Sequence, residues 1–174
     1  MYSPAKRGLL YTIGHGTRTT DDIANLLNVT GAKTVIDVRR YPLGRRQPHL
    51  SRARLELDFP KRGIGYEWWG EELGGRRSID ASIAAQSRWR SRSFAAYSAY
   101  MASADFKRAF AELEARASAG EALAIMCAEI VWWRCHRRLI ADALTVDEFE
   151  VEHIIDRVPG RRHQRPEHQK PADV

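Results

Sequence analysis

The chain has 174 residues, the length of one ordinary domain, of which 44% are apolar and 29% charged. A mean hydropathy of −0.48, with no apolar run near about 18 residues, argues against a membrane-spanning or wholly disordered chain. Two cysteines cannot form a secreted disulfide framework, and the N-terminal apolar run is too short for a signal peptide, so we expect a cytoplasmic protein.

The net charge of +6 and the pI near 9.6 indicate an anionic partner. Arginine accounts for 23 of the 28 basic residues, and its planar fork binds phosphate or carboxylate through two hydrogen bonds. Codon bias in a GC-rich genome is the alternative explanation, since alanine is also abundant. The positions of the arginines decide between these explanations.

Apolar and β-branched runs predict five strands separated by helical segments. The first strand ends at Gly14, and a Thr-Asp-Asp start at residue 20 opens a helix that ends before Gly31. An aromatic repeat at helical spacing begins at Phe94 and is typical of a core face. The strands are predicted at 9–13, 33–38, 64–69, 122–127 and 149–155, and the helices at 20–30, 51–59, 79–86, 94–101, 106–113 and 134–144.

Short strands that alternate with helices predict βαβ units. The expected fold class is therefore α/β, a single domain with a mainly parallel sheet flanked by helices in a Rossmann-like three-layer architecture. We place the domain at residues 1–156 and assign 157–174 to a polar, poorly packed C-terminal tail with three prolines and no apolar period. Ligands of such sheets bind outside the carboxyl ends of the strands, so the residues after each strand are the candidates for a site.

The first two strands are followed by histidine, aspartate and arginine. His15 lies between two glycines just before a helix start, where free N–H groups bind anions, and Arg18 follows. A buried Asp37 needs a partner, so we expect it to orient Arg39 or His15. Arginines at 39, 40, 45 and 46 form a candidate phosphate clamp, and Arg76 follows the third strand. A solvated basic loop is the alternative.

The fourth strand ends in the densest group of reactive side chains. Cys127 is followed by Glu129, and Cys135, His136 and Arg137 open the next helix. A thiolate near arginines or a helix N-terminus is nucleophilic, so Cys127 is the candidate nucleophile, with Glu129 and His136 as acid–base groups. A packed, unreactive thiol is the alternative.

Spacing tests two sharper interpretations of the cysteines, and it favours neither. A phosphatase-like loop needs one residue fewer than the six that separate Cys127 from Arg134. A zinc site formed by Cys127, Cys135 and His136 lacks the usual ligand spacing and needs a distant fourth ligand such as His15. No metal is assigned, and the cofactor is left unknown.

Four blocks of sequence, in order, resemble the domain of unknown function 488 family, and together they span about residues 9–155. The blocks are Thr12–Arg18, Asp37–Arg39, Leu73–Arg76, and Met126–Glu129 with Cys135–Arg137. Gly16 stands where the family usually has serine, and two tryptophans follow Glu129 where more polar residues are expected. The resemblance implies an α/β fold and a pocket formed by these blocks. It states no reaction, although a link to nucleic-acid metabolism has been suggested for the family.

The leading hypothesis is an arginine-rich anion pocket that binds or processes a phosphate-bearing ligand, a nucleotide or nucleic acid, with no membrane partner. The catalytic candidates are Cys127, Glu129, His136 and His15, and the anion-binding candidates are Arg18, Asp37, Arg39, Arg76, Cys135 and Arg137. We expect seven of these residues to lie around one cleft: His15, Asp37, Arg39, Cys127, Glu129, His136 and Arg137.

Two other function classes remain open. A non-catalytic nucleic-acid-binding module would use the arginines at 39–46 and 161–165, with Trp68, Trp69, Trp132 and Trp133 as stacking platforms. Core packing is the alternative role for those tryptophans. A structural or interaction protein would carry a basic surface that reflects composition alone.

Overall fold

A computed structural model describes residues 6–87, 89–156 and 160–164. Its centre is a six-stranded sheet in the order β3-β2-β4-β1-β5-β6. The strands are β1 (Leu9–Gly14), β2 (Thr34–Asp37), β3 (Gly65–Trp68), β4 (Leu123–Cys127), β5 (Glu150–Ile154) and β6 (Arg161–Arg162). The first five are parallel and β6 pairs antiparallel with β5. The predicted α/β class and mainly parallel sheet are confirmed.

The helices follow the predicted segments, with one difference that bears on the site. They are α1 (Thr20–Thr30), α2 (Arg52–Asp58), α3 (Ala81–Gln86), α4 (Arg92–Tyr100), α5 (Ala104–Ser118) and α6 (Arg137–Val146). The predicted start of the last helix at 134 is wrong, because Trp132–Arg134 forms a 3-10 turn and Cys135 is extended, with φ −133°. Cys135 therefore lies in the loop before α6.

Helices cover both faces of the sheet and give the three-layer arrangement. Side chains alternate along β4, so Leu123, Ile125 and Cys127 pack on the face covered by α4, α5 and α6. Ala124 and Met126 pack on the opposite face, against α1 and α2. Within the described residues, no helix has the length and apolar character needed to cross a bilayer.

The assignment of residues 157–174 to a poorly packed tail is wrong for residues 160–164. Arg161 and Arg162 pair with β5, and the N–H of His163 donates to the Val151 carbonyl at 2.7 Å. His163 is buried. The other residues of the predicted tail, 157–159 and 165–174, lie outside the described residues.

The carboxyl ends of β1 and β4 approach each other closely at Gly14. The N–H of His15 donates to the Cys127 carbonyl at 2.9 Å. A Cβ on Gly14 would lie 1.9 Å from the Glu129 carbonyl oxygen, so no larger residue fits there. This contact holds the segment after β4 over the end of the sheet.

Candidate functional site

A cavity of about 320 Å³ opens at the carboxyl ends of β2 and β4. Its volume is at the lower end of the range of small-molecule sites, roughly 300–1,000 Å³. Six residues predicted for the site line this cavity: Arg39, Arg76, Cys127, Glu129, Cys135 and His136. The remaining lining residues are Arg40, Tyr41, Gly75, Ser93, Phe94, Tyr97, Ala128 and Arg134.

Cys127 and Cys135, the thiol pair, are free thiols that meet beside this cavity. Their Sγ atoms are 3.0 Å apart. The buried Arg137 donates from Nε to both sulfurs, at 3.0 Å to Cys127 and 3.3 Å to Cys135, and its backbone N–H faces Cys135 at 3.4 Å. Cys127 is buried, whereas Cys135 is partly exposed.

These surroundings shift the pKa values of the two thiols in opposite directions. Burial raises the pKa of Cys127 well above its ordinary value. The pKa of Cys135 is lowered to about 6, because its sulfur accepts a hydrogen bond from Cys127 and because the positive charge of Arg137 is adjacent. A thiolate at Cys135, with the Cys127 thiol as its donor, follows from both effects.

The properties expected of a nucleophile, access and a low pKa, therefore lie on Cys135. The sequence pattern predicts them for Cys127 instead. The reason for the difference is burial, since Cys127 ends a central strand and packs among the core residues of the α4–α6 face.

His136 packs against the cavity in one fixed tautomer. Its Nε2 donates to the Val38 carbonyl at 3.1 Å, so only Nδ1 is left to accept a proton. Its ring lies 4.9 Å from the Tyr97 ring, and a Cβ on Gly75 would lie 2.8 Å from Nδ1. Burial lowers the pKa of His136 to about 4, so the ring is neutral near neutral pH.

A second cluster forms around Asp37, which is fully buried. Arg39 donates to the Asp37 carboxylate from Nε and Nη2, and Tyr66 donates its hydroxyl to Oδ2 at 2.6 Å. Arg39 also faces His15 Nε2 at 3.1 Å and can only donate, so His15 Nδ1 carries the proton that donates to the Gly16 carbonyl. Burial, with the charge of Arg39, lowers the pKa of His15 to about 4.

Of the seven residues expected around one cleft, four line the cavity, and His15, Asp37 and Arg137 do not. Asp37 pairs with Met126 across the strands, so its side chain points to the face opposite Cys127. His15 lies on that face too, where its ring contacts Arg39, the partner of Asp37. Arg137 contacts the thiol pair without lining the cavity.

Arg18, which the sequence predicts to bind an anion, lies away from the cavity. Its guanidinium donates to the carbonyls of Gly14 and Ile155. These bonds join the ends of β1 and β5, and they give Arg18 a structural position.

Three further arginines give the cavity a positive lining: Arg40, Arg76 and Arg134. Arg40 donates to the Arg76 carbonyl at 3.1 Å and lies over the Tyr41 ring at 5.5 Å. Arg76 and Arg134 are exposed. Among the residues that the structure describes, none of these three arginines is in an ion pair.

A chain of buried hydrogen bonds leads from Arg137 away from the cavity. Arg137 Nη1 donates to Thr12 Oγ1 at 3.1 Å, and the Thr12 hydroxyl is hydrogen-bonded to His153 Nδ1 at 2.7 Å. His153 Nε2 is hydrogen-bonded to His163 Nδ1 at 3.0 Å. His163 Nε2 donates to the Asp142 carboxylate at 2.8 Å. The two ends of the chain are fixed, because a guanidinium can only donate and a carboxylate can only accept.

We expect His163→Ala to lower the free energy of unfolding by roughly 1–3 kcal/mol, because it leaves buried polar atoms of His153 and Asp142 without their partner. Urea denaturation measures the change. The exposed His49 supplies the control, His49→Ala, for which we expect a change within about 0.5 kcal/mol. An equally small change in His163→Ala would show that His163 contributes nothing to the stability of the buried chain.

The tryptophans proposed as stacking platforms are mostly engaged within the protein. Trp68 Nε1 donates to the Arg39 carbonyl at 2.8 Å, and Trp69 Nε1 to Glu67 at 3.1 Å. The Trp132 ring stacks on His153 with centroids 4.2 Å apart. Trp133 is the exposed member of the four, so the structure does not favour a surface of stacked tryptophans.

The zinc alternative does not agree with the contacts of its histidines. His136 uses Nε2 on the Val38 carbonyl, and His15 Nε2 faces Arg39. Within residues 6–87, 89–156 and 160–164, no group of three or more His, Cys, Asp or Glu side chains is arranged to hold a metal ion.

The fold and cavity define an α/β protein whose candidate site lies at the carboxyl edge of a mainly parallel sheet. The family model described as "Domain of unknown function DUF488" matches residues 19–144, and the chain belongs to this family. The matched region contains the thiol pair and Arg137, whereas β5 and β6 follow it. No curated protein and no solved structure matches the chain.

Proposed function

We propose that the cavity binds a phosphate-bearing ligand, a nucleotide or the end of a nucleic acid, beside a nucleophilic thiolate at Cys135. The observation that carries the proposal is the convergence of Arg40, Arg76, Arg134 and Cys135 on one cavity. Arginine binds phosphate oxygens bidentately, and such charge-assisted bonds are stronger than neutral ones.

The balance of charge favours a doubly charged anion. Arg39 is paired with Asp37, and Arg137 with the thiol pair, so neither has its charge free for a ligand. The three remaining arginines face one carboxylate of the described lining, Glu129, and three positive charges less one negative charge leave two. A phosphate monoester carries a matching charge near neutral pH.

Aromatic rings in the lining support a nucleotide over inorganic phosphate. Tyr41, Phe94 and Tyr97 line the cavity. Tyr41 is exposed, whereas Phe94 is backed by the Trp89 ring with centroids 5.4 Å apart. Nucleobases stack on such rings.

The chemistry available at the bound ligand is nucleophilic attack by the Cys135 thiolate. Glu129 is exposed at the cavity and has the position of an acid–base group. His136 is neutral, with Nε2 donating to the Val38 carbonyl and Nδ1 left as an acceptor.

The test is a pair of titrations with a fluorescent adenosine 5′-monophosphate analogue and a labelled single-stranded oligonucleotide. We expect the double variant Arg76→Ala, Arg134→Ala to weaken binding at least about tenfold, because it removes two charged hydrogen-bond donors. The matched control is Arg108→Ala, an exposed arginine on α5 paired with Asp105, which should bind as the wild type does.

Repeating the titrations across a salt series separates the two ligand classes. An oligonucleotide that contacts Z phosphates loses log affinity with a slope of about −0.7Z. Binding of the oligonucleotide alone would favour a nucleic-acid-binding module. No binding of either probe at low salt, or unchanged binding by the double variant, would contradict the proposal.

A further inference from the structure

The two thiols lie close enough to join. Their sulfurs are 3.0 Å apart, and a disulfide has a length of roughly 2.05 Å, so a shift of about 1 Å closes the bond. Cys127 is fixed at the end of a central strand. Cys135 lies in extended backbone between a 3-10 turn and α6, so the loop can supply the shift.

The two thiols differ in solvent exposure as well as in charge. Cys135 is partly exposed and borders the cavity, whereas Cys127 is 3% exposed. Arg137 holds both sulfurs from one side and places positive charge where a thiolate forms. An accessible thiolate with a buried thiol in contact is the arrangement that thiol–disulfide exchange requires, one sulfur to attack and one to resolve.

We propose that Cys127 and Cys135 form a redox-active dithiol that reduces small anionic disulfides, with Cys135 as the attacking sulfur and Cys127 as the resolving one. The negative charge of the substrate is inferred from the arginines of the same cavity, Arg76 and Arg134. The inference goes beyond the proposed phosphate ligand and does not require it.

The exchange balances in two steps. The Cys135 thiolate attacks one sulfur of the substrate disulfide, whose S–S bond breaks, and the leaving thiolate takes a proton from water. The Cys127 thiol then gives its proton to water, and its thiolate attacks Cys135 Sγ. This breaks the mixed disulfide and releases the second substrate sulfur as a thiolate, which takes a proton from water. The protein dithiol is oxidised to a disulfide by two electrons, and the substrate disulfide is reduced to two thiols.

The wild-type chain tests the proposal directly. Reduced protein is mixed with glutathione disulfide near neutral pH, quenched with acid and analysed by intact mass. We expect loss of two hydrogens, no stable adduct, and release of two glutathione thiols per chain. A chain that stays reduced, or that ends as a stable glutathione adduct, would overturn the proposal.

Single cysteine variants assign the two roles. Cys127→Ser should stop at a glutathione adduct on Cys135, and Cys135→Ser should react at least about tenfold more slowly than the wild type. Circular dichroism establishes that each variant is folded, and the wild-type result decides the matter if one is not. An adduct on Cys127 in the native protein would overturn the assignment of Cys135 as the attacking sulfur.

The charge of the substrate is tested with a neutral competitor, 2-hydroxyethyl disulfide. In the double variant Arg76→Ala, Arg134→Ala, the rate with glutathione disulfide should fall about tenfold relative to the rate with the neutral disulfide. Equal effects on both substrates would overturn the anionic class. Because these measurements contain no nucleotide, their failure is distinguishable from failure of the phosphate proposal.

Discussion

Alkylation of native protein by iodoacetamide will occur at Cys135, with a rate that rises with pH about a midpoint near 6. Replacing Arg137 by methionine will raise that midpoint by about two pH units, because it removes the cation that contacts both sulfurs. Near pH 7 the thiolate fraction of Cys135 then falls roughly tenfold. Rates measured across pH, with mass-spectrometric assignment of the alkylated residue, give both quantities.

The neighbouring Arg138→Met is the matched control. Arg138 lies over the Trp89 ring and approaches Asp142 at 3.8 Å, and the structure records no contact with either sulfur, so the midpoint should stay near 6. Arg137→Lys retains the charge without the fork and serves if the methionine variant does not fold. Preferential labelling of Cys127 in native protein would restore the assignment made from the sequence.

The elements of the fold were largely predictable because their apolar patterns are local. β4 is an uninterrupted apolar run, and α1 begins at a capping box of Thr19 and Asp22 and ends at Gly31. β6 was not predictable, since two arginines in a polar segment carry no strand pattern. Its pairing depends on the buried His163 and on β5, which are contacts distant in sequence.

The residues of the site were predictable in kind but not in position. Parallel strands bring their carboxyl ends to one edge, which is why six of the predicted residues line the cavity. The register between strands decides on which face of the sheet a side chain lies. Asp37 pairs with Met126, which is one residue from Cys127 in the chain. A shift of one residue moves a side chain to the other face, and a single sequence contains no information on that pairing.

The roles of the two cysteines also depend on tertiary contacts. Arg134 directly precedes Cys135 and no arginine adjoins Cys127, but adjacency in the sequence does not say which sulfur an arginine side chain contacts. The side chain of Arg137 returns from the first turn of α6 to both sulfurs and to Thr12 of β1. Which of the two thiols is the thiolate therefore depends on contacts made where β1, β4 and α6 meet.

Acid will unfold the protein because buried histidines are held neutral. The pKa values of His15 and His136 are lowered to about 4, and that of His153 to about 2, by burial, against an ordinary value of 6.5. Between pH 6.5 and about 4 the unfolded chain binds protons that the folded chain does not. The free energy of unfolding therefore falls as pH falls, by up to about 1.4 kcal/mol per pH unit for each histidine.

Urea denaturation at a series of pH values through this window tests the effect, with His136→Gln as the informative variant. Glutamine does not titrate, so the variant should lose stability with falling pH more gradually than the wild type, by about 1.4 kcal/mol per pH unit at most. The exposed His49 gives the control His49→Gln, which should retain the wild-type slope. The same slope in His136→Gln and in the wild type would show that His136 is already protonated in the folded protein, and the tautomer that donates to Val38 while leaving Nδ1 as an acceptor would then be wrong.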